Sequence, residues 1–315
     1  MKAIQLREFG GADAFEHVDL DDPTPGEGEV LVEVTRAGVN FADTHSTRND
    51  YLAPQELPLV PGAEVAGRTA DGRRVAALVG NGGYAERVVV PESLTIPIPD
   101  EVDDEQAAGA LLQGLTAMTL VKRSARIEPG ETILIEAAAG GTGTLAVQIA
   151  KTAGAKVIGL ASSADKRALV EDLGADATVD SQSEDLGAAI LEANDGQKGD
   201  AVLHMSGGDA FEAELRALAP LGRMVVFGNA SRESRPVDSS VLLHGSKAVI
   251  GMWLVHVLAR RDLAVPLVAE LLEALATGAL QVTIGGVYPL SEAARAHQAL
   301  ESRTSAGKLL LDPTS

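Results

Sequence analysis

The densest chemical signal in the chain is Gly141-Thr142-Gly143-Thr144-Leu145-Ala146, a G-x-G-x-x-A pattern preceded by a further glycine, Gly140. In such a turn the first glycine permits a tight reversal. The second lets a pyrophosphate touch the backbone, and the small third residue lets a helix pack on a sheet. The open N–H groups at the helix start then meet the phosphate charge. A plain tight turn in a packed α/β unit would carry a similar pattern, so the flanks decide. Here "ETILIEA" reads as a strand before the turn and "GTLAVQIAKTAG" as a helix after it. A second strand, "KVIGLA", follows about 20 residues on, the context a dinucleotide site requires.

The end of that second strand bears on which dinucleotide. An NAD site places Asp or Glu there to bind the ribose 2′-hydroxyl. This chain has "GLASSADKR", with Ser162, Ser163, Lys166 and Arg167. Hydroxyls and cations suit a 2′-phosphate, which a carboxylate would repel, so NADPH is the expected cofactor. The plainer alternative is that Ser163 or Asp165 caps the next helix while Lys166 and Arg167 sit in solvent.

Two kinds of architecture must carry these residues. Residues 1 to about 100 read as many short strands with turn punctuation, among them "KAIQL", "EVLVEV" and "GGYAERVVV", and "ADGRR" supplies hairpin chemistry. The alternation in "EVLVEV" is read as placing Leu31 and the glutamates on opposite faces. A helix is expected from about Asp103, where acidic residues suit an N-terminus. From about residue 130 strand, turn and helix repeat, which predicts a parallel sheet with helices on both faces. The tail from about residue 260 abandons that repeat and is expected to return to the first domain. The fold class is therefore α/β, with a β-rich domain over 1–112 and 256–315 and a doubly wound domain over 113–255.

With 315 residues the chain is long enough for two cores. Its composition, 45% hydrophobic and 23% charged, is that of an ordinary globular protein, and no apolar run reaches membrane-spanning length. The absence of cysteine excludes disulfides, thiolate nucleophiles and cysteine-ligated zinc. The six histidines show no close ligand spacing, so no metal is expected. A net charge of −19 disfavours nucleic-acid binding. The N-terminus lacks an apolar signal core, and a cytoplasmic location is expected.

The run "GETILIEAAAGGTGTLAVQIAK" resembles the signature of the quinone oxidoreductase (zeta-crystallin-like) family of the zinc-independent medium-chain dehydrogenase/reductase superfamily. The resemblance extends through "AGVNFADTH", "PLVPGAEVAG", "GGYAERVVVP", "GLTA", "FGN" and "ALESRTSAGKLLL". It implies a GroES-like β-rich catalytic domain joined to a Rossmann domain. Zinc-dependent relatives place Cys and His where Asn40 and Ala63 stand here, so the catalytic metal is expected to be missing, and Glu64 is read as structural.

Carried over residue by residue, the resemblance puts Asn40 and Thr116 near the nicotinamide and Gly140, Gly141, Thr142 and Gly143 at the pyrophosphate. Ser163 and Lys166 would meet the 2′-phosphate, joined by Arg303. Ser181 stands where relatives commonly carry Tyr beside that phosphate, which would weaken the contact. Gly228 and Asn229 would border the nicotinamide ribose or carboxamide. His45 replaces a Tyr of the family's N-x-x-D-T-Y, and Tyr51 matches a second pocket aromatic. His45 could protonate the reduced oxygen, since imidazole titrates near neutrality, or could be a neutral loop residue. Asp43 is read as a turn or structural residue rather than a base.

The expected activity is NADPH-dependent hydride transfer to a quinone or an α,β-unsaturated carbonyl, with Asn40, His45 and Tyr51 as the catalytic candidates. A specialised enoyl reductase and a non-catalytic NADPH-binding sensor are the alternatives. The expected partners are a small-molecule acceptor and a second copy of the chain, a homodimer formed through the apolar edge near Ala248 to Trp253.

Overall fold

The computed structural model describes residues 1–50 and 52–315. The chain divides into two compact units, Met1–Leu112 with Val268–Ser315, and Gln113–Leu267. The second boundary falls later than the expected residue 255. The last parallel strand does not end the unit, because the chain runs on through one helix and into a second before changing over.

The first unit opens with β1 (Lys2–Gln5) paired antiparallel to β2 (Glu16–Asp19). Its main sheet begins with the long β3 (Glu29–Val39), followed by a short helix α1 (Phe41–Ser46). The strands β4 (Glu64–Thr69), β5 (Arg74–Leu78), β6 (Arg87–Pro91) and β7 (Ile96–Pro97) come next. The "ADGRR" turn joins β4 to β5, which pair Glu64 with Leu78 through Arg68 with Arg74. In the first half of β3 the buried residues are Val32 and Val34, while Glu29 and Glu33 are exposed. Leu31 shares the glutamates' side of the pleat rather than opposing it, since residues two apart in a strand face the same way.

Helix α2 (Asp104–Met118) starts where Asp103 and Gln106 cap each other, Asp103 Oδ1 accepting from Gln106 N at 2.7 Å and Gln106 Oε1 from Asp103 N at 3.1 Å. The second unit then alternates strand and helix: β8 (Thr132–Ile135), α3 (Gly141–Thr152), β9 (Lys156–Ala161), α4 (Ala164–Asp172), β10 (Ala177–Asp180) and α5 (Leu186–Ala193). It continues with β11 (Gly199–His204), α6 (Asp209–Ala217), β12 (Leu218–Val226), α7 (Ser239–Gly245), β13 (Ala248–Gly251) and α8 (Leu254–Leu258). All six strands are parallel, in the order β10-β9-β8-β11-β12-β13. The order reverses between β8 and β11, and in open sheets of this kind ligands bind outside the carboxyl ends at that point.

Helix α9 (Arg261–Ala276) carries the chain back into the first unit, where β14 (Ile284–Pro289), α10 (Ala293–Glu301) and β15 (Lys308–Asp312) follow. β15 pairs antiparallel with β3 and parallel with β14, so the tail completes the first unit's sheet in the order β14-β15-β3-β4-β5-β7, with β6 also on β3. Val34, Val39, Val65, Tyr84, Leu309 and Leu311 build its core together with Ala293 and Ala296 of α10. The second unit's core is Leu134, Ile158, Leu160, Val202 and Met224 from the sheet, under Ile190, Phe211 and Leu215. Each of the buried Val, Leu, Ile, Phe and Met side chains contributes about 1.5–3 kcal/mol by leaving water.

Candidate functional site

In the second unit the glycine pattern occupies the turn from β8 into α3, with Gly140 as the N-cap. A Cβ on Gly143 would collide with the Ala137 carbonyl oxygen and lie 2.7 Å from Ala138 Cα, so the helix packs on this turn only because the side chain is missing. A Cβ on Gly141 would run into the Gln113 side chain. Ala137 itself adopts φ 49°, and Ala146 is buried against the sheet. The result is an open helix N-terminus over bare backbone, which suits an anion.

The carboxyl ends of β9 and β10 pair Ala161 with Asp180 and gather Ser162, Ser163, Lys166, Arg167 and Ser181. Ser163 is the N-cap of α4, its hydroxyl accepting from Lys166 N at 3.4 Å, so the capping alternative is realised for this residue. The Lys166 side chain is half-buried, and the loss of water pushes its pKa down. Arg167 is tied to Asp180 at 3.0 Å. Ser181 N donates to Ala161 O at 3.2 Å. No carboxylate ends β9, in keeping with the sequence.

Gly228 and Asn229 follow β12 and lie against the turn after β11. Ala230 N donates to Met205 O at 3.0 Å, and Ser231 N to Ser206 O at 2.8 Å. A Cβ on Gly228 would sit 2.9 Å from Met205 O, and one on Gly207 would sit 2.6 Å from Asn229 Oδ1. Asn229 Oδ1 is buried without a hydrogen-bond partner among the described residues. Thr116 is buried in α2 of the same unit.

The first unit holds Asn40, His45 and Arg303. Asn40 is the N-cap of α1, and its backbone N–H donates to Asp43 Oδ2 at 2.9 Å. Its carboxamide is held on both sides. Oδ1 accepts from Lys308 Nζ at 2.7 Å, while Nδ2 donates to Gly38 O and to Glu64 Oε2, each at 3.3 Å. Glu64 and Lys308 have no exposed side-chain surface and pair at 2.6 Å, and Glu64 Oε1 accepts the Leu112 N–H at 2.6 Å. Glu64, read as structural, is thus the anion that neutralises a buried lysine beside Asn40.

His45 is 5% exposed, stacks edge-on to Phe41, and holds Asp50 through Nδ1 at 2.7 Å. Tyr51 lies outside the described residues. Arg303 follows α10, exposed and with φ 57°.

Some groups to which the sequence reading gave no chemical role are buried in clusters. Tyr84 Oη donates to Asp43 Oδ2 at 3.1 Å and lies 2.9 Å from His297 Nε2. Burial pushes Asp43 up to about 6 and His297 down to about 3, the latter helped by the charge of Arg48. In the second unit Glu136, His204 and Glu214 meet, with His204 Nδ1 at 2.7 Å from Glu214 Oε2 and 3.2 Å from Glu136 Oε2. Lys308 stands directly before the apolar run Leu309-Leu310-Leu311, and a cation in such a strand is a legible anomaly. Glu136 and His204 each end an apolar run, and pairing β8 with β11 makes them neighbours.

Comparison with known proteins adds the following. The model for the alcohol dehydrogenase GroES-like domain matches residues 26–100, and that for zinc-binding dehydrogenases matches residues 141–274. The residues present do not fit zinc at the positions where zinc-dependent relatives are expected to hold it. Asn40 is an amide clamped by Lys308 and Glu64, Ala63 has no donor, and both Glu64 oxygens are taken by other groups. A quinone oxidoreductase from Pseudomonas aeruginosa is 36% identical over 99% of both chains. A mycobacterial protein solved as a complex with NADPH superposes with a TM-score of 0.93 at 38% identity, covering 99% of this chain and 100% of its own. The Escherichia coli quinone oxidoreductase, also solved with NADPH, gives a TM-score of 0.93 at 32% identity, covering 99% of this chain and 100% of its own. The glycine turn, the strand order and these full-length likenesses together establish that the chain belongs to the quinone oxidoreductase family of the medium-chain dehydrogenase/reductase superfamily.

Proposed function

We propose that the chain is an NADPH-dependent reductase that transfers hydride to a quinone or to the β-carbon of an α,β-unsaturated carbonyl. The observation that carries the cofactor half is the pairing of the Gly143 cradle with a β9 end that bears Ser162, Ser163 and Lys166 in place of a carboxylate. The two structural neighbours solved with NADPH support it. When bound, NADPH supplies the hydride, so the protein needs neither a nucleophile nor a metal.

The chain's own residues bind and orient. Gly140, Gly141, Thr142 and Gly143 offer backbone N–H groups to the pyrophosphate. Ser162, Ser163, Lys166 and Ser181 take the 2′-phosphate, and Arg303 is proposed as a further ligand for it. Thr116, Gly228 and Asn229 border the nicotinamide end, and Asn229 Oδ1 supplies an acceptor for a carboxamide or ribose hydroxyl. Asn40 contributes as a rigid surface rather than a free donor, because its amide is committed to Lys308, Glu64 and Gly38. His45 is the proposed proton donor to the reduced oxygen. Asp50 holds its Nδ1 at 2.7 Å and so fixes the ring. Tyr51 is proposed to complete the acceptor pocket.

A homodimer is part of the same reading. β13 is the free edge of its sheet, and Leu221 and Leu243 are 81% and 82% exposed near it. No helix among the described residues is long and apolar enough to cross a membrane, and the proposed location is the cytoplasm.

The test is oxidation of NADPH against a panel of quinones and simple enones, with His45→Tyr alongside. Turnover with quinones, kept or raised in the Tyr variant, supports the assignment of His45 to the acceptor. Tight NADPH binding with no turnover on any acceptor would replace the reductase by a sensor.

A further inference from the structure

The proposed reaction makes no use of the buried cluster Glu136, His204 and Glu214, yet the cluster sits at the point of the sheet where strand order reverses. Leu203 of β11 pairs with Ile135 of β8, so the next residues, His204 and Glu136, stand side by side at the carboxyl edge. Glu136 immediately precedes the glycine turn. Its Oε2 accepts Met205 N at 2.7 Å and Ser206 N at 2.9 Å. His204 Nε2 accepts Gly207 N at 2.9 Å. With Nε2 accepting, the ring's N–H lies on Nδ1 and faces the two carboxylates; burial alone would lower the His204 pKa, but Glu214 and Glu136 hold it above its ordinary value. Two side chains, Glu136 and His204, therefore fix three consecutive N–H groups of residues 205–207, with Glu214 holding His204 from behind. This turn is in turn bonded to the loop of Gly228 and Asn229 through Met205 O and Ser206 O.

We propose that Glu136, His204 and Glu214 form a one-proton latch that holds the turn at 205–208 in the shape that receives the dinucleotide. Glu214, His204 and Glu136 are thus positioning residues. Resting on the NADPH reading above, the inference adds a control to the same site.

The physical basis is the number of charges the cluster tolerates. Glu214 has no exposed surface, and its Oε1 has no hydrogen-bond partner among the described residues. Burial, reinforced by the Glu136 charge, pushes its carboxyl up to about 8. With Glu214 protonated the cluster holds one anion, Glu136, satisfied by the two backbone N–H groups and the imidazole. Removing that proton leaves two buried carboxylates competing for one ring N–H, and buried like charges repel strongly. Among the described residues, the other elements packed on the cluster bring no compensating cation. Phe211 of α6 stacks on His204, and α5 and β12 face α6 with Ile190 and Met224. On the adjoining segments Arg235 pairs with Asp209 of α6 at 2.6 Å and with Glu233 at 3.8 Å, both at the surface. The three ligand-type atoms lie within 4.8 Å of one another, but His204 Nδ1 is bonded to Glu214 and Glu136 Oε2 to backbone N–H groups, which favours a proton over a metal ion as the occupant.

The experiment is titration of NADPH and of NADH by fluorescence from pH 6 to 9.5, with the wild-type chain and with Glu214→Gln. The expected result is a dissociation constant that rises about tenfold across an inflection near pH 8 for both cofactors, an ordinary size for coupling between sites. Glu214→Gln, which keeps a neutral side chain at every pH, is expected to flatten both curves. An inflection for NADPH alone would belong to Lys166 and would overturn the latch. So would binding independent of pH, an inflection that survives in Glu214→Gln, or zinc that stabilises the wild-type chain and abolishes the inflection. Should the variant not fold, hydrogen exchange at the Gly207 amide decides. Loss of protection beyond the intrinsic pH effect near pH 8 supports the latch, and constant protection overturns it. Failure to bind either cofactor at any pH would instead remove the NADPH reading itself.

Discussion

Lys308 Nζ lies 2.6 Å from Glu64 Oε2, and neither side chain has any exposed surface. Lys308 opens β15 in the returning tail and Glu64 opens β4, the strands on either side of β3, so the pair bridges across β3 while clamping Asn40. Breaking a buried pair leaves an uncompensated charge, and Glu64→Gln is expected to cost about 3–5 kcal/mol in urea unfolding. Combining Glu64→Gln with Lys308→Met should restore much of that loss. A single variant as stable as wild type would mean that water reaches the lysine.

Gly143→Ala addresses the dinucleotide turn. The added methyl collides with backbone at Ala137, which cannot swing away as a side chain could. NADPH affinity is expected to fall at least about tenfold by calorimetry, since a displacement of the turn misplaces every N–H aimed at the pyrophosphate. Gly251→Ala, with nothing within 4 Å of the new methyl, should leave affinity unchanged.

Lys166→Ala separates the two cofactors. Losing a charge-assisted bond to the 2′-phosphate should weaken NADPH by about 1–3 kcal/mol and leave NADH nearly untouched. Equal losses would place Lys166 away from the phosphate.

The Asp43, Tyr84 and His297 chain predicts sensitivity to acid. His297 is held at about 3 when folded against an ordinary 6.5, so the unfolded chain takes up a proton that the folded chain refuses. Stability from this group is present above pH 6.5 and is lost as pH falls toward 3. Asp43, raised from 3.8 to about 6, acts with opposite sign, because the folded form binds its proton more readily between those values. The two together should lose on the order of 2 kcal/mol by pH 3. His297→Gln should remove that acid decline in thermal midpoints recorded from pH 7 to 4. An unchanged profile would assign acid sensitivity elsewhere.

Much of the second unit could be read directly because its signals are local. The glycine turn, the alternating strands and helices, and the hydroxyls after β9 lie within short windows, and periodicity exposes them. Clusters built across long separations could not be read that way. Lys308 meets Asn40 across 268 positions, Tyr84 meets His297 across 213, and Glu136 meets Met205 across 69. Nothing local in the sequence sets such pairings, which follow from strand order. The return of the tail was legible because its pattern breaks the repeat, but the changeover inside α9 was not, since Pro266 does not interrupt that helix. Ser163 shows a further limit, because a residue that caps a helix and one that meets a phosphate look the same in sequence.

The most direct test of the central claim is the ratio of kcat/KM for NADPH to that for NADH, measured with one quinone acceptor. The account predicts quinone turnover with a ratio well above about 10, falling toward 1 in Lys166→Ala. A ratio near or below 1 in the wild-type chain, or no quinone turnover with either cofactor, would contradict it.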